Sequence, residues 1–282
     1  MKNQNNAFEN LSLIFAGITI PATLAVAYAV YSLVLGNPAN FEGNDPAGHP
    51  INYLGTVYKG GLIVPVLLSC LFMVVIFSIE RYLTINLAYG KGKLHRFTKS
   101  IKAQIKDGDI VGAIEKSEKQ KGALGNVLTE VLVNYFSILT DKKLSKEQKK
   151  IAIQQEIEEA TALELPVLER NLPVIATLAS VSTLIGLLGT VIGMIKAFAA
   201  LSTAGAPDAT ALATGISEAL INTALGISSS ALAIISYNFF TAKIDGLVNK
   251  IDEVGFTITQ SLTLERGSDK KDKEDVLKEV YS

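Results

Sequence analysis

Cysteine occurs once, at Cys70 inside an apolar run, so neither an intramolecular disulfide nor a Cys-based metal cluster can form. Histidine occurs twice, and His49 and His95 stand too far apart for ligand spacing. Charge is scarce: Asp, Glu, Lys and Arg make up 19% of 282 residues, against roughly 25% in an ordinary soluble domain. Apolar residues reach 49% and the mean hydropathy is +0.33. That balance excludes a single soluble domain. Lys+Arg 26 against Asp+Glu 27, with no basic patch, argues against nucleic acid as a partner. No Ser/His/Asp set and no metal motif is present. The stretch Gly186-Leu187-Leu188-Gly189-Thr190 lacks the lysine and strand context of a phosphate loop. Neither catalysis nor a cofactor or metal is expected.

What the chain has instead is long apolar runs. Four stand out, from Leu11 to about Leu35, Leu62 to Ile79, Leu172 to Leu201 and Ala209 to Phe240. Each meets the ~18–20 residues needed to cross a hydrocarbon core as a helix. Residues 80–170 between them hold 16 of the 26 basic and 13 of the 27 acidic residues. The connection 36–61 contains only Lys59 as a basic residue, and 202–208 contains none, whereas seven follow Thr241. The positive-inside rule places 80–171 and 241–282 in the cytoplasm. The expected fold class is all-α: a polytopic membrane helical bundle with long helices extending into the cytoplasm, homo-oligomeric. Its parts are an N-terminal span 1–36, an outer loop 37–60, a span 61–79 and a cytoplasmic helical domain 80–171. A span 172–201, a short outer loop 202–208, a span 209–240 and a cytoplasmic helix and tail 241–282 complete it.

The first run has two readings. Lys2 precedes it, and Ala25-Val26-Ala27 and Ala27-Tyr28-Ala29 resemble signal-peptide cleavage sites. Its length of about 25 residues exceeds the ~7–15 of a signal core, which favours a retained span. In the central region, Leu94, Phe97, Ile101 and Ile105 recur at helical spacing, as do Val127, Leu128, Val131, Leu132 and Tyr135. Asp107-Gly108-Asp109 marks a turn, and Ser145 with Gln148 forms a capping-box pattern. Ile153, Ile157, Ala160, Leu163, Val167 and Leu168 carry one stripe toward the third span. Uninterrupted, 145–200 would extend about 84 Å at ~1.5 Å per residue, with Pro166 and Pro173 as possible kinks. Glu80-Arg81 reads as an interfacial anchor. Beyond the fourth span, Ile244, Leu247, Val248, Ile251, Val254, Ile258 and Leu262 suggest a return helix, and Gly267 to Asp275 a disordered tail.

Spans three and four are separated by seven residues and must form an antiparallel hairpin. The third presents Thr183, Gly186, Thr190, Gly193 and Ala197 as a small and polar stripe, with Gly189 and Gly193 forming a GxxxG. The fourth carries Glu218, Asn222, Gly226, Ser229 and Ala233 on one face, with Thr223 and Ser230 beside it. Counted from the outer ends, Thr190 and Thr223 fall at similar depth, near the membrane middle. Helix packing accounts for the small residues. Glu218 is harder to account for, because an ionisable side chain at a span centre costs on the order of 2.5–3.5 kcal/mol. Such residues mark ion paths, unless the group lies at the outer headgroups. Lys196, near the outer end, reads as a snorkelling side chain.

At these residues the chain resembles the MotA/TolQ/ExbB proton channel family. The matching blocks are Gly186-Leu187-Leu188-Gly189-Thr190-Val191-Ile192-Gly193-Met194-Ile195 with Ala197-Phe198, then Gly215 through Ile227, with Tyr237-Asn238 farther on. The resemblance covers roughly 60–265 and is closest to the ExbB/TolQ branch; the first span departs from a three-span core. It implies a homo-pentamer around the membrane helices of a small ExbD- or TolR-like single-span protein, relaying to a TonB-like protein, among lipids of the bacterial inner membrane. By match, Thr190, Glu218 and Thr223 belong to the proton pathway, and Gly186, Gly189, Gly193 and Gly226 to helix packing. A TolQ-type subunit, a MotA-like flagellar stator and a non-conducting scaffold are the alternatives. Intact mass of the purified protein tests the first run: the full mass is expected, and loss of 27–29 residues would replace the four-span reading by cleavage.

Overall fold

The computed structural model describes residues 17–140, 143–202 and 208–264, and among them no β-strand forms; one isolated bridge joins Phe41 to Pro50. In chain order the helices are α1 (Gly17–Leu35), α2 (Tyr53–Tyr58), α3 (Val64–Ala88), α4 (Leu94–Asp107), α5 (Ile110–Gln120), α6 (Gly122–Thr140), α7 (Lys146–Glu169), α8 (Leu172–Leu201) and α9 (Ala209–Leu264). The start of the first apolar run, the 203–207 connection and the charged tail lie outside the described residues. Two compact units form. One takes the chain up to Glu80 with Pro173–Asn238; the other takes Arg81–Leu172 with the chain from Phe239.

The first unit is apolar on its outside. On α1, Ile18, Ile20, Leu24, Val26 and Leu33 are exposed, while Thr19, Thr23, Ala27, Tyr31 and Leu35 are buried at four-residue steps. Polar groups inside and hydrocarbon outside is the pattern of a helix that faces lipid. Ser69 of α3 donates to the Thr23 hydroxyl at 3.1 Å, and Thr23 donates back to the Thr19 carbonyl at 2.8 Å. The last turn of α1, Val30–Leu35, widens to a π-turn, with the Gly36 amide donating to the Tyr31 carbonyl. Asn40 then caps it, its amide donating to the carbonyls of Val34 and Leu35 at 2.8 and 2.9 Å. Tyr31 stacks on Tyr58 with ring centroids 4.6 Å apart. The connection between α1 and α3 is thus a folded cap.

The second unit follows soluble rules. Gly108, at φ +78°, closes α4, and Asp109 accepts the Gly112 amide to open α5. The capping box at Ser145 and Gln148 is present in both directions. Ile101, Val131, Leu132, Ile153, Leu247, Val254 and Ile258 meet in a core with no exposed surface to speak of. Among the described residues, five helices are long and apolar enough to cross a membrane, one more than the four expected spans. The fifth is α6, whose Leu124, Val127, Leu128, Val131 and Leu132 are buried as it packs against α5 and α7. Buried apolar residues of α5 and α7, among them Ile114, Ile153 and Ile157, are available to cover that face, so its hydropathy serves a protein core.

Several expectations need correction here. The helix 145–200 is interrupted at Arg170 and Asn171, and Pro173 sits in the first turn of α8, where its missing N–H costs nothing. Pro166 remains inside α7. Leu163 and Val167 depart from their stripe and are exposed. No separate return helix forms: α9 runs unbroken from Ala209 to Leu264. Arg81 is no interfacial anchor either. It is 1% exposed, and its guanidinium donates to the carbonyls of Val167 and Leu168 at 3.3 and 3.1 Å. Those carbonyls belong to the last turn of α7, where acceptors lack helical partners and cations are favoured.

On the surface of this unit Lys102 of α4 and Lys250 both reach Glu253 at 2.6 Å. Their hydrogen bonds lower the Glu253 carboxyl from 4.5 to about 2. A carboxyl lowered on folding stabilises the fold above its ordinary pKa, and that contribution fades as pH falls from about 4.5 toward 2. The groups are half exposed, so the effect is held to less than ~1 kcal/mol. Glu253→Gln is expected to flatten the acid limb of the unfolding midpoint against pH by lowering it slightly at neutrality, the two proteins converging as the wild-type carboxyl protonates; an unaltered acid limb would contradict the assignment.

Candidate functional site

The site grows from the antiparallel packing of α8 on α9. Contacts pair residues whose numbers sum to about 412: Ser182 meets Ser229 at 3.2 Å, Gly186 faces Gly226, Gly189 faces Asn222, and Gly193 faces Ala219. The backbones approach so closely that side chains are excluded. A Cβ on Gly189 would lie 2.4 Å from the Asn222 Cβ, and one on Gly226 would lie 2.7 Å from the Ser182 carbonyl oxygen. Gly186 and Gly193 are held as tightly, with Gly226 Cα and the Ala219 amide 3.0 and 2.7 Å from their notional Cβ atoms. Such contact gives dispersion attraction without a large hydrophobic driving force, the usual means of association within lipid.

That register brings the polar residues together. Thr190 and Thr223 touch through their hydroxyls, and Thr190 also donates to the Gly186 carbonyl at 3.3 Å. Both threonines are half-buried. About a turn and a half toward the short outer connection, Glu218 is buried, its side chain only 8% exposed. Lys196, read from the sequence as snorkelling, turns inward instead. Its ammonium donates to Glu218 Oε1 at 2.6 Å and Oε2 at 2.9 Å. The reason is register: positions 196 and 218 face each other across the hairpin, and a buried carboxylate needs a partner. The lysine side chain as a whole remains 55% exposed.

A third strut comes from the turn before α3. Gly61 has φ +78°, a conformation that favours glycine, and a Cβ there would stand 2.5 Å from Glu218 Oε1. The turn therefore lies flat over the carboxylate. One helical turn from Glu218, Asn222 is fully buried and donates through Nδ2 to the Gly60 carbonyl at 2.9 Å. Its Oδ1 is buried with no partner among the described residues. Ser229, Gly226 and Ala233 continue the buried face, whereas Thr183 is exposed and, with Ser180, Ser230 and Tyr237, lines an open groove. Among the described residues no group of His, Cys, Asp and Glu is set to hold a metal ion.

The arrangement places a buried carboxylate with a lysine counter-charge, and two hydroxyls in contact, on one hairpin. Sequence reasoning missed the Lys196 partnership, although the antiparallel register would have revealed it. It also missed the Gly60-Gly61 turn, whose signal was a Gly-Gly pair preceding a span.

The model of the MotA/TolQ/ExbB proton channel family matches residues 125–253. The matched stretch is narrower than the 60–265 of the resemblance and contains Thr190, Lys196, Glu218 and Thr223. It supports a proton-channel role for a membrane protein with several apolar helices. No curated protein matches the chain.

Packing at the hairpin gives a paired test. Gly189→Leu is expected to destabilise the detergent-solubilised protein by roughly 3 kcal/mol or more, since neither backbone can retreat. Gly246→Ala, whose Cβ would meet only the Tyr89 hydroxyl at 3.9 Å, should be neutral or stabilising by up to ~1 kcal/mol. Equal thermal stability of the two variants would show that α8 and α9 do not approach as described.

Proposed function

We propose that this chain is the proton-channel subunit of an inner-membrane complex of ExbB–ExbD type, which uses the proton motive force to energise TonB-dependent transport across the outer membrane. The observation that carries the reading is Glu218, a carboxylate 8% exposed inside an apolar helix and one and a half turns from the Thr190–Thr223 contact. Structural packing alone gives no reason to retain so costly a group. The chain acts here as a channel, without enzymatic turnover.

In this reading five copies surround the membrane helices of a small single-span partner of ExbD or TolR kind. The exposed apolar faces of α8 and α9, including Leu187, Leu188, Val191, Leu220 and Ile227, then contact lipid or neighbouring copies. The charged unit and the C-terminus lie in the cytoplasm, as the basic residues require. A proton crossing 100 mV releases about 2.3 kcal/mol, enough to drive a rearrangement of the partner when repeated. Glu218 takes up the proton on the outer side, and the threonine hydroxyls pass it toward the partner. A TolQ-type subunit uses the same residues for envelope integrity, and the identity of the co-purifying proteins separates the two.

Proteoliposomes containing the complex purified from native membranes provide the test. Glu218→Gln and Thr190→Val are each expected to reduce potential-driven proton uptake to the level of empty liposomes while leaving the assembled mass unchanged. Wild-type rates in both variants would refute the pathway, and absence of uptake by the wild type with its partner present would leave a non-conducting scaffold.

A further inference from the structure

We propose that Lys196 is the selectivity residue of this site, occupying the cation position on Glu218 so that a proton is carried and a sodium ion is refused. The inference rests on the channel reading above and adds the choice of ion. Its basis is geometric: the ammonium donates to both carboxylate oxygens, at 2.6 and 2.9 Å. The Gly61 turn stands against the same carboxylate, where a Cβ would lie 2.5 Å from Oε1.

A carboxylate buried in a membrane helix attracts any small cation, because an unpaired buried charge is costly. Sodium takes oxygen ligands, and the Glu218 carboxylate supplies two. Asn222, one turn away on the same buried face, has an unpartnered Oδ1 among the described residues. A tethered ammonium in the same place opposes a second cation, because like charges at such distance in a poorly screened site repel strongly. It does not oppose a proton in the same way. A hydronium ion arriving from the outer side gives its proton to the carboxylate: an O–H bond forms on Glu218, one breaks in the hydronium, and water departs. Lys196 then withdraws toward water, which its 55% exposed side chain allows. Sodium cannot neutralise the carboxylate covalently and would have to share it with the lysine. Among the described residues, the charged group that contacts Glu218 is Lys196 from α8.

The test has two readouts. In proteoliposomes, wild-type proton uptake should change by less than about twofold when choline chloride outside is replaced by sodium chloride, whereas Lys196→Met should be slowed on the order of tenfold or more by sodium. Lys196→Arg, which keeps the charge, should remain indifferent to sodium. Separately, the detergent-purified protein alone is heated in sodium or choline chloride. Sodium should raise the melting temperature of Lys196→Met by mass action, leave the wild type unchanged, and lose its effect in Lys196→Met/Glu218→Gln. Sodium-insensitive uptake and melting in Lys196→Met would overturn the proposal, as would sodium stabilisation of the wild type. Should Lys196→Met fail to fold, Lys196→Gln answers the same question. If the wild type moves no protons, the channel reading fails, yet the melting experiment still decides whether Lys196 excludes sodium.

Discussion

The close approach of α8 and α9 is the constraint on which the rest depends. Helices that meet through glycine have no freedom to slide, since a shift by one residue would drive a Cβ into opposing backbone. The register so fixed determines which polar groups share a level. Ser182 finds Ser229, Thr190 finds Thr223, and Lys196 finds Glu218. In hydrocarbon a polar group without a partner is costly, so a hairpin packed this tightly can retain a carboxylate where a looser one could not. Chemistry and packing have one origin.

Much of this was legible in the chain itself. Hydropathy located four helices at the places where α1, α3, α8 and α9 lie, because a run of twenty apolar residues leaves little choice. The small and polar stripes were visible at three- and four-residue steps. What failed did so for physical reasons. A lone lysine near a helix end is ordinarily free to reach water, and only the opposing residue reveals otherwise, so Lys196 needed the partner helix to be understood. Arg81 misled in the same manner: its buried place depends on carbonyls of Val167 and Leu168 far along the chain. The apolarity of α6 is ambiguous by composition, since a core helix and a span can have equal hydropathy, and only its packing against α5 and α7 distinguishes them.

The two units obey different solvents. In one, hydroxyls and amides are buried while leucine and isoleucine are displayed; in the other, apolar side chains are buried and charges displayed. Chain continuity through α3, α8 and α9 links the unit that holds the hairpin to a helical body rich in charge.

Infrared difference spectroscopy of the reconstituted complex tests the central claim most directly, by reading the protonation of Glu218 itself. A carboxylic-acid carbonyl band should appear when the outer side is acidified, disappear when the gradient is removed, and be absent from Glu218→Gln. A carboxylate that stays ionised while protons cross the membrane would contradict the account.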